Sequence, residues 1–266
     1  MKDINIIIPI HKLDESTKEL LKNAVNSVKE NRNTYSNGEL KIVYVISNDV
    51  DKNFIETLDD NYIILNNSGK TDFCSQINYA VDNINSEFFS ILEYDDEYCN
   101  NWFKMANKYF YSNEDVSVFL PINIMYSENK TNWQYGNEMV LATSFSNEIG
   151  IIDFDCLEDC FVFNLTGGVF NTNDFKEIGK FKPSLKIASN YEFLLRLTNK
   201  KLKAMVVPKE GYKHMVAREG SITDNCNKTM TDSEIEKYFK LAKKEYEFVE
   251  DRNKKISTQD RKEILK

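Results

Sequence analysis

Along the first hundred residues, apolar positions fall into blocks that switch between strand and helix periods. Ile4-Asn5-Ile6-Ile7-Ile8-Pro9-Ile10 is apolar nearly throughout, as expected for a strand buried on both faces of a parallel sheet, with Pro9 ending its pairing. Asp14 to Glu30 carries Leu20, Leu21, Ala24, Val25 and Val28 on one helical stripe. After the turn-rich stretch Asn31 to Gly38, Lys41 to Ile46 reads as a second buried strand that stops at Ser47-Asn48-Asp49. A short helix is expected over Asp51 to Leu58, and a third strand over Tyr62 to Leu65. A helix then follows over Phe73 to Ile84, with Phe73, Ile77, Ala80, Val81 and Ile84 on one side. The fourth apolar run, Phe88 to Leu92, ends abruptly at Glu93-Tyr94-Asp95-Asp96-Glu97. This alternation predicts an α/β fold with a mainly parallel sheet flanked by helices. Ligands belong at the carboxyl ends of such strands, near Pro9, Asp49 and Asp95.

The second half is less regular. Trp102 to Tyr111 reads as a helix and Val116 to Leu120 as a strand stopped by Pro121. Residues 126 to 160 carry no clear period. Cys160 to Asn164 reads as a strand, and Gly167-Gly168 allows close backbone approach. Asn173 to Ile178 is a helix ended by Gly179, Tyr191 to Thr198 another, and Leu202 to Val207 a late strand before Pro208. Asp232 to about Lys255 is a long charged helix whose stripe, Ile235, Tyr238, Phe239, Ala242, Tyr246 and Val249, should dock on the body. The expected organisation is a main domain over 1–230, with a nucleotide-binding half to residue 100 and an acceptor-side half after it. A helical extension follows over 231–266.

Composition narrows the function. A net charge of −8 argues against a broad nucleic-acid-binding face. No apolar run approaches the ~20 residues that span a bilayer, and the N-terminal residues lack a signal-peptide pattern, so a cytoplasmic protein is expected. Five widely spaced cysteines miss the usual zinc spacing and read as reduced structural thiols. The dinucleotide glycine fingerprint and the Walker A loop are both missing, which argues against hydride transfer and P-loop hydrolysis. The acidic cluster has two readings: a solvated turn, or oxygen ligands for Mg²⁺ or Mn²⁺ bridged to substrate phosphates.

Several short motifs share one order and spacing. They are Ile6-Ile7-Ile8-Pro9-Ile10-His11, Asn23-Ala24-Val25-Asn26-Ser27-Val28, Asn67-Ser68-Gly69 followed by Gln76-Ile77-Asn78, and Phe89 to Asp96. The later ones are Gly167-Gly168 to Phe181, Tyr191 to Leu197, and Gly220-Ser221-Ile222-Thr223. Together they resemble the family 2 glycosyltransferases of GT-A fold, over Ile4 to Thr223. The resemblance implies a Rossmann-like GT-A sheet and a metal-dependent enzyme. Such an enzyme moves a sugar, with inversion, from a nucleotide-diphosphate sugar, UDP first among them, to an acceptor. The acceptor class stays open among glycan, lipid-linked saccharide, protein and nucleic acid.

The resemblance also implies roles. Glu93, Tyr94 and Asp95 occupy the Asp-x-Asp positions, with Asp95 the foremost metal ligand; Glu93 serves as a ligand or reaches the ribose. Asp96 orients the ligand or the sugar. Pro9, Ile10, His11, Asp49, Gly69 and Asn78 fall in the donor-binding elements. His214 completes the metal site or packs structurally. Arg218 neutralises the diphosphate or lies on the surface, and Lys213 is a further phosphate contact. Where inverting members have a Glu-Asp pair before the Tyr191 helix, this chain has Ser189-Asn190, and an amide takes no proton from a hydroxyl. Glu192 is the favoured base, with Asp153, Asp155, Glu158 and Asp159 as alternatives. A retaining mechanism and a donor-binding module that has lost transfer also remain open. A nucleotidyltransferase would need a glycine-rich loop after the first strand, and Ile10-His11-Lys12-Leu13 has none.

Overall fold

The structure, a computed structural model, describes residues 2–246 apart from 68, 114, 128–132, 161, 217, 219–221 and 245. Its first part alternates as the apolar blocks dictate: β1 (Ile4–Ile10), α1 (Glu15–Arg32), β2 (Leu40–Ile46), α2 (Lys52–Glu56), β3 (Tyr62–Asn66), α3 (Phe73–Asp82) and β4 (Phe88–Ile91). The second part comprises β5 (Glu97–Tyr98), α4 (Trp102–Phe110), β6 (Val116–Tyr126), β7 (Trp133–Gly136), β8 (Ile151–Ile152), α5 (Phe154–Asp159), β9 (Val169–Asn171), α6 (Thr172–Glu177), α7 (Ser189–Asn199), β10 (Lys203–Met215), α8 (Ile222–Thr229) and α9 (Asp232–Lys244). Local chemistry sets the helix starts. Asp14 accepts from the Thr17 N–H at 3.1 Å while Thr17 Oγ1 accepts from the Asp14 N–H at 2.9 Å, a reciprocal cap that opens α1. Asp72 caps α3 through the Ser75 N–H at 2.9 Å.

The strands form one sheet in the order β3-β2-β1-β4-β9-β6-β10-β5, with β7 added to β6 and β8 to β10. β3, β2, β1 and β4 run parallel, and β9 is antiparallel to both its neighbours. Both faces are buried. Ile4, Ile6, Ile8 and Ile10 of β1 pack into a core with α1 and α4, while Ile7 faces a second core built with α3, α6 and α7. The strand order reverses beside β1, which opens a crevice at the carboxyl ends of β1 and β4.

Three expected strand ends differ. β1 continues through Pro9 to Ile10 against β2, because the N–H that Pro9 lacks would point to the β4 side, where pairing has already stopped at Ile7. β6 runs through Pro121 and β10 through Pro208, because the two prolines fall where the β6–β10 register shifts, between the Leu120–Val206 and Ile122–Glu210 pairs. A proline at such an irregularity forfeits no ladder donor. Beyond it the outer halves of β6 and β10, with β7 and β5, make a small wall beside the crevice. The strand expected over Cys160 to Asn164 is not formed among the described residues. Val162 is 70% exposed, and Asn137 takes the place of a neighbouring strand. Its Nδ2 donates to the Asn164 carbonyl at 2.9 Å and its Oδ1 accepts from the Asn164 N–H at 3.0 Å.

α9 docks as its stripe predicts. Ala242 and Tyr246 are buried, and Tyr238 and Phe239 pack on the α7 core; the expected continuation to Lys255 lies outside the described residues. All five cysteines are free thiols. Among the described residues no helix is long and apolar enough to cross a membrane.

Gly167 locks the wall to the body. Its φ is +77°, and an added Cβ would lie 2.4 Å from the Tyr212 ring, while its carbonyl accepts from Trp102 Nε1 at 2.9 Å. Gly167→Ala should therefore lower the unfolding free energy by at least ~2 kcal/mol through backbone strain and overpacking. Urea denaturation reads this directly; unchanged stability would contradict the close packing described.

Candidate active site

The site forms where β4 ends. The Leu92 N–H still donates to the Ile7 carbonyl at 3.0 Å, but the next N–H, from Glu93, donates to the Tyr212 hydroxyl at 3.1 Å. The Asp96 N–H donates back to the Glu93 carbonyl at 3.1 Å and closes a turn. β5 then pairs with β10, Glu97 opposite Lys213 and Tyr98 opposite Tyr212. This turn aims the carboxylates at the end of β10. Asp96, 1% exposed, accepts from the Met215 N–H at 2.8 Å and lies 2.9 Å from His214 Nδ1. Asp95 accepts from Arg218 Nε at 2.5 Å. Arg218 also donates to the Tyr94 hydroxyl at 2.9 Å, with its guanidinium carbon 5.3 Å from that ring's centre. The His11 ring centre lies 6.0 Å from that of Tyr94.

Crowding governs the electrostatics. Burial, reinforced by the Asp96 and Asp95 charges, holds Glu93 above the ordinary carboxylate range. Burial also raises Asp96, against the pull of His214. Burial lowers His214, but Asp96, Glu93 and Asp95 overcome it and carry the imidazole to about 9. Ligand atoms of Glu93, Asp96 and His214 lie within 4.8 Å of one another. Two carboxylates and an imidazole at that spacing fit a divalent cation, with Mn²⁺ better matched than Mg²⁺ by the nitrogen donor. His214 would first have to lose its proton.

The fold thus brings Glu93, Tyr94, Asp95, Asp96, His11, His214 and Arg218 together. Asp95 faces Arg218, whereas Glu93, Asp96 and His214 form the metal-spaced set. Pro9 and Ile10 end β1 beneath them. The Ser47 hydroxyl donates to the His11 carbonyl at 2.7 Å, tying the loops after β1 and β2 together and leaving Asp49 exposed. Gly69 is exposed and an added Cβ there would meet open space. Asn78 clamps the backbone of Phe181, donating at 2.8 Å and accepting at 3.0 Å. Lys213 pairs with Glu97 at 3.2 Å. Asp153 caps α5, and Asn147 bridges Asp153 and Asp155. The Asp159 side chain and Gly220-Ser221 lie outside the described residues.

Glu192 is placed apart. Wholly buried on α7, it receives Arg196 through two bonds of 2.9 and 2.8 Å, the Tyr246 hydroxyl at 2.7 Å and Lys182 at 3.0 Å. Burial opposes its charge, yet these donors hold its pKa below the usual value. A carboxylate so enclosed is a poor proton acceptor. Tyr212 and Met215, which contribute a hydroxyl and a backbone N–H, carry no signal in the residue pattern of Gly211 to Met215.

Glu192→Ala should cost roughly 3–5 kcal/mol, because it removes the carboxylate that balances the buried Arg196 guanidinium, while nucleotide binding by the folded fraction stays unchanged. Denaturant titration alongside nucleotide titration checks both. Full stability with lost turnover would instead make Glu192 the base.

The sequence matches the family described as Glycosyl transferase family 2 over residues 5–166. A search of curated proteins found no match. Among solved structures, S. aureus TarS 1-349 in complex with UDP-GlcNAc superposes with a TM-score of 0.63 at 16% identity, covering 91% of this chain and 65% of that one. The same TarS fragment in complex with UDP gives 0.59 at 15% identity, covering 90% and 70%. TarS 1-349 alone gives 0.59 at 16%, covering 81% and 60%, so this chain spans less than two thirds of that fragment. At such identity the likeness shows the GT-A fold. The family match covers more than half of the chain, and the protein belongs to the family 2 glycosyltransferases.

Proposed function

We propose that the chain transfers a sugar from a UDP-sugar to an acceptor hydroxyl, with a divalent cation at the end of β4. The observation that carries this is the convergence of Glu93, Asp96 and His214 within 4.8 Å, beside a guanidinium, in a family 2 chain. The TarS structures holding UDP-GlcNAc and UDP support uridine as the base to test first. Glu93, Asp96 and His214 would hold the cation, with Asp95 beside them on Arg218. The cation supplies Lewis-acid stabilisation of the departing diphosphate. Arg218, now shared between Asp95 and Tyr94, presents the planar fork for which a diphosphate competes. The neighbouring His11 and Tyr94 rings would offer stacking surface to the nucleoside base.

We assign a single displacement with inversion. Asp96 is engaged by His214 and Asp95 by Arg218, and burial holds Glu93 above the ordinary carboxylate range, so each is a poor nucleophile for a double displacement. Single displacement still requires a proton acceptor at the attacking hydroxyl. Ser189 and Asn190 offer none, and Glu192 is enclosed. That enclosure favours a second reading, a module that binds donor and transfers slowly or not at all.

Thermal denaturation with UDP, with and without Mn²⁺, separates these readings from the alternatives. Saturation at 100-fold over Kd stabilises the native chain by about 2.7 kcal/mol. A Mn²⁺-dependent rise in Tm that disappears in Asp96→Asn supports the donor site. UDP release accelerated by added acceptor then identifies a transferase, and binding without release identifies the module. No shift in the folded wild type would remove the donor site altogether.

A further inference from the structure

The wall made by β5, β10, β6 and β7 has two faces. One points inward: Tyr98, Tyr212 and Asn123 are aligned across three strands and buried, and His214 belongs to this face. The other points outward. Register places Glu97 beside Lys213, Lys213 beside Ile124, and Ile124 beside Tyr135, a single row across four strands. The next row pairs Tyr126 with Trp133. Successive residues on a strand face opposite ways, so this row lies on the far side of the wall from His214, one residue away along the chain.

The outer face is concave. Glu97, Ile124, Tyr126, Trp133, Tyr135, Glu210 and Lys213 line a cleft of about 440 Å³, within the 300–1,000 Å³ usual for small-ligand sites. Trp133 is 58% exposed and Tyr135 39%. Their rings stand at 88° with centres 5.3 Å apart, giving a platform and a wall. The Tyr135 hydroxyl donates to Glu210 at 2.7 Å, and Lys213 holds Glu97 at 3.2 Å.

These groups match a pyranose. An aromatic face is electronegative and attracts the C–H face of a sugar ring, while ionised side chains form the stronger hydrogen bonds to its hydroxyls. Three of the seven lining residues are ionic, whereas protein interface cores are depleted in Glu and Lys. Two carboxylates against one ammonium also repel a polyanion. We propose that this outer face binds a neutral pyranose, one ring of a glycan acceptor, at a subsite across the wall from the donor crevice. The proposal rests on the transferase reading. Occupancy would hold an acceptor chain while its reacting end rounds the β5 edge into the crevice.

Trp102 and Trp133 are the two tryptophans of the chain, and Trp102 is wholly buried, so emission changes on ligand addition report Trp133. The full chain is titrated with methyl β-glucoside, N-acetylglucosamine, cellobiose and chitobiose, and in parallel with UDP and Mn²⁺ by thermal shift. Saturable quenching or a blue shift with a saccharide is expected. Tyr135→Ala and Glu210→Gln should weaken it about tenfold with the UDP response intact. No saccharide response from a folded chain that still binds UDP would overturn the subsite. So would quenching by polyphosphate or oligothymidylate instead, or concentration-dependent dimerisation that hides Trp133. A saccharide response without any UDP shift would keep the cleft and remove the transferase reading.

Discussion

Three carboxyl groups converge where β4 ends, and two side chains from the end of β10 and the residues just after it hold them there. His214 meets Asp96 across 118 positions of sequence and Arg218 meets Asp95 across 123. Burial, with neighbouring carboxylates adding to it, opposes the ionisation of Glu93 and Asp96, and those carboxylates hold His214 as a cation against its own burial. Fully ionised, the cluster carries three negative charges against two positive. Ligand atoms already within 4.8 Å of one another would suit a divalent cation once Glu93 and His214 have given up their protons. The same contacts require β10 to arrive in register. The bend at Pro121 and Pro208, Trp102 under Gly167, and the Tyr212 hydroxyl under Glu93 together fix that register.

The parallel half of the fold was legible because buried parallel strands are nearly uninterrupted apolar runs. Ile4 to Ile10 and Leu40 to Ile46 are such runs, and a polar residue at each end marks the turn. The wall was not legible. β5 and β8 are two residues long, too short for any period, and β10 passes a proline that normally ends a strand. The apolar run at Cys160 misled because strand pattern alone does not supply a neighbour; Asn137 took that place with one side chain. The acidic end of β4 announced its chemistry, but its counter-ions could be paired to it only in three dimensions. His214 and Arg218 were read as candidates, while which carboxylate each would meet was not in the pattern.

Glu192 shows how a catalytic reading and a structural one share a sequence. Its position beside Asn190, within a helix that resembles the family's, suggested a base. Its surroundings suggest an anchor instead: Arg196 from one turn on, Lys182 from the preceding loop, and Tyr246 from beyond α9 all end on it. The cluster ties the C-terminal helix to the body through a buried charge, an arrangement in which removing one member costs far more than the intact set contributes.

The central claim is that Glu93, Asp96 and His214 bind one divalent cation together with a nucleoside diphosphate. Electron paramagnetic resonance of Mn²⁺ titrated with the chain and UDP measures this directly. The account predicts loss of the free-ion signal at one Mn²⁺ per chain, enhanced by UDP and abolished in His214→Ala. A free-ion signal unchanged by the folded chain and UDP would contradict it.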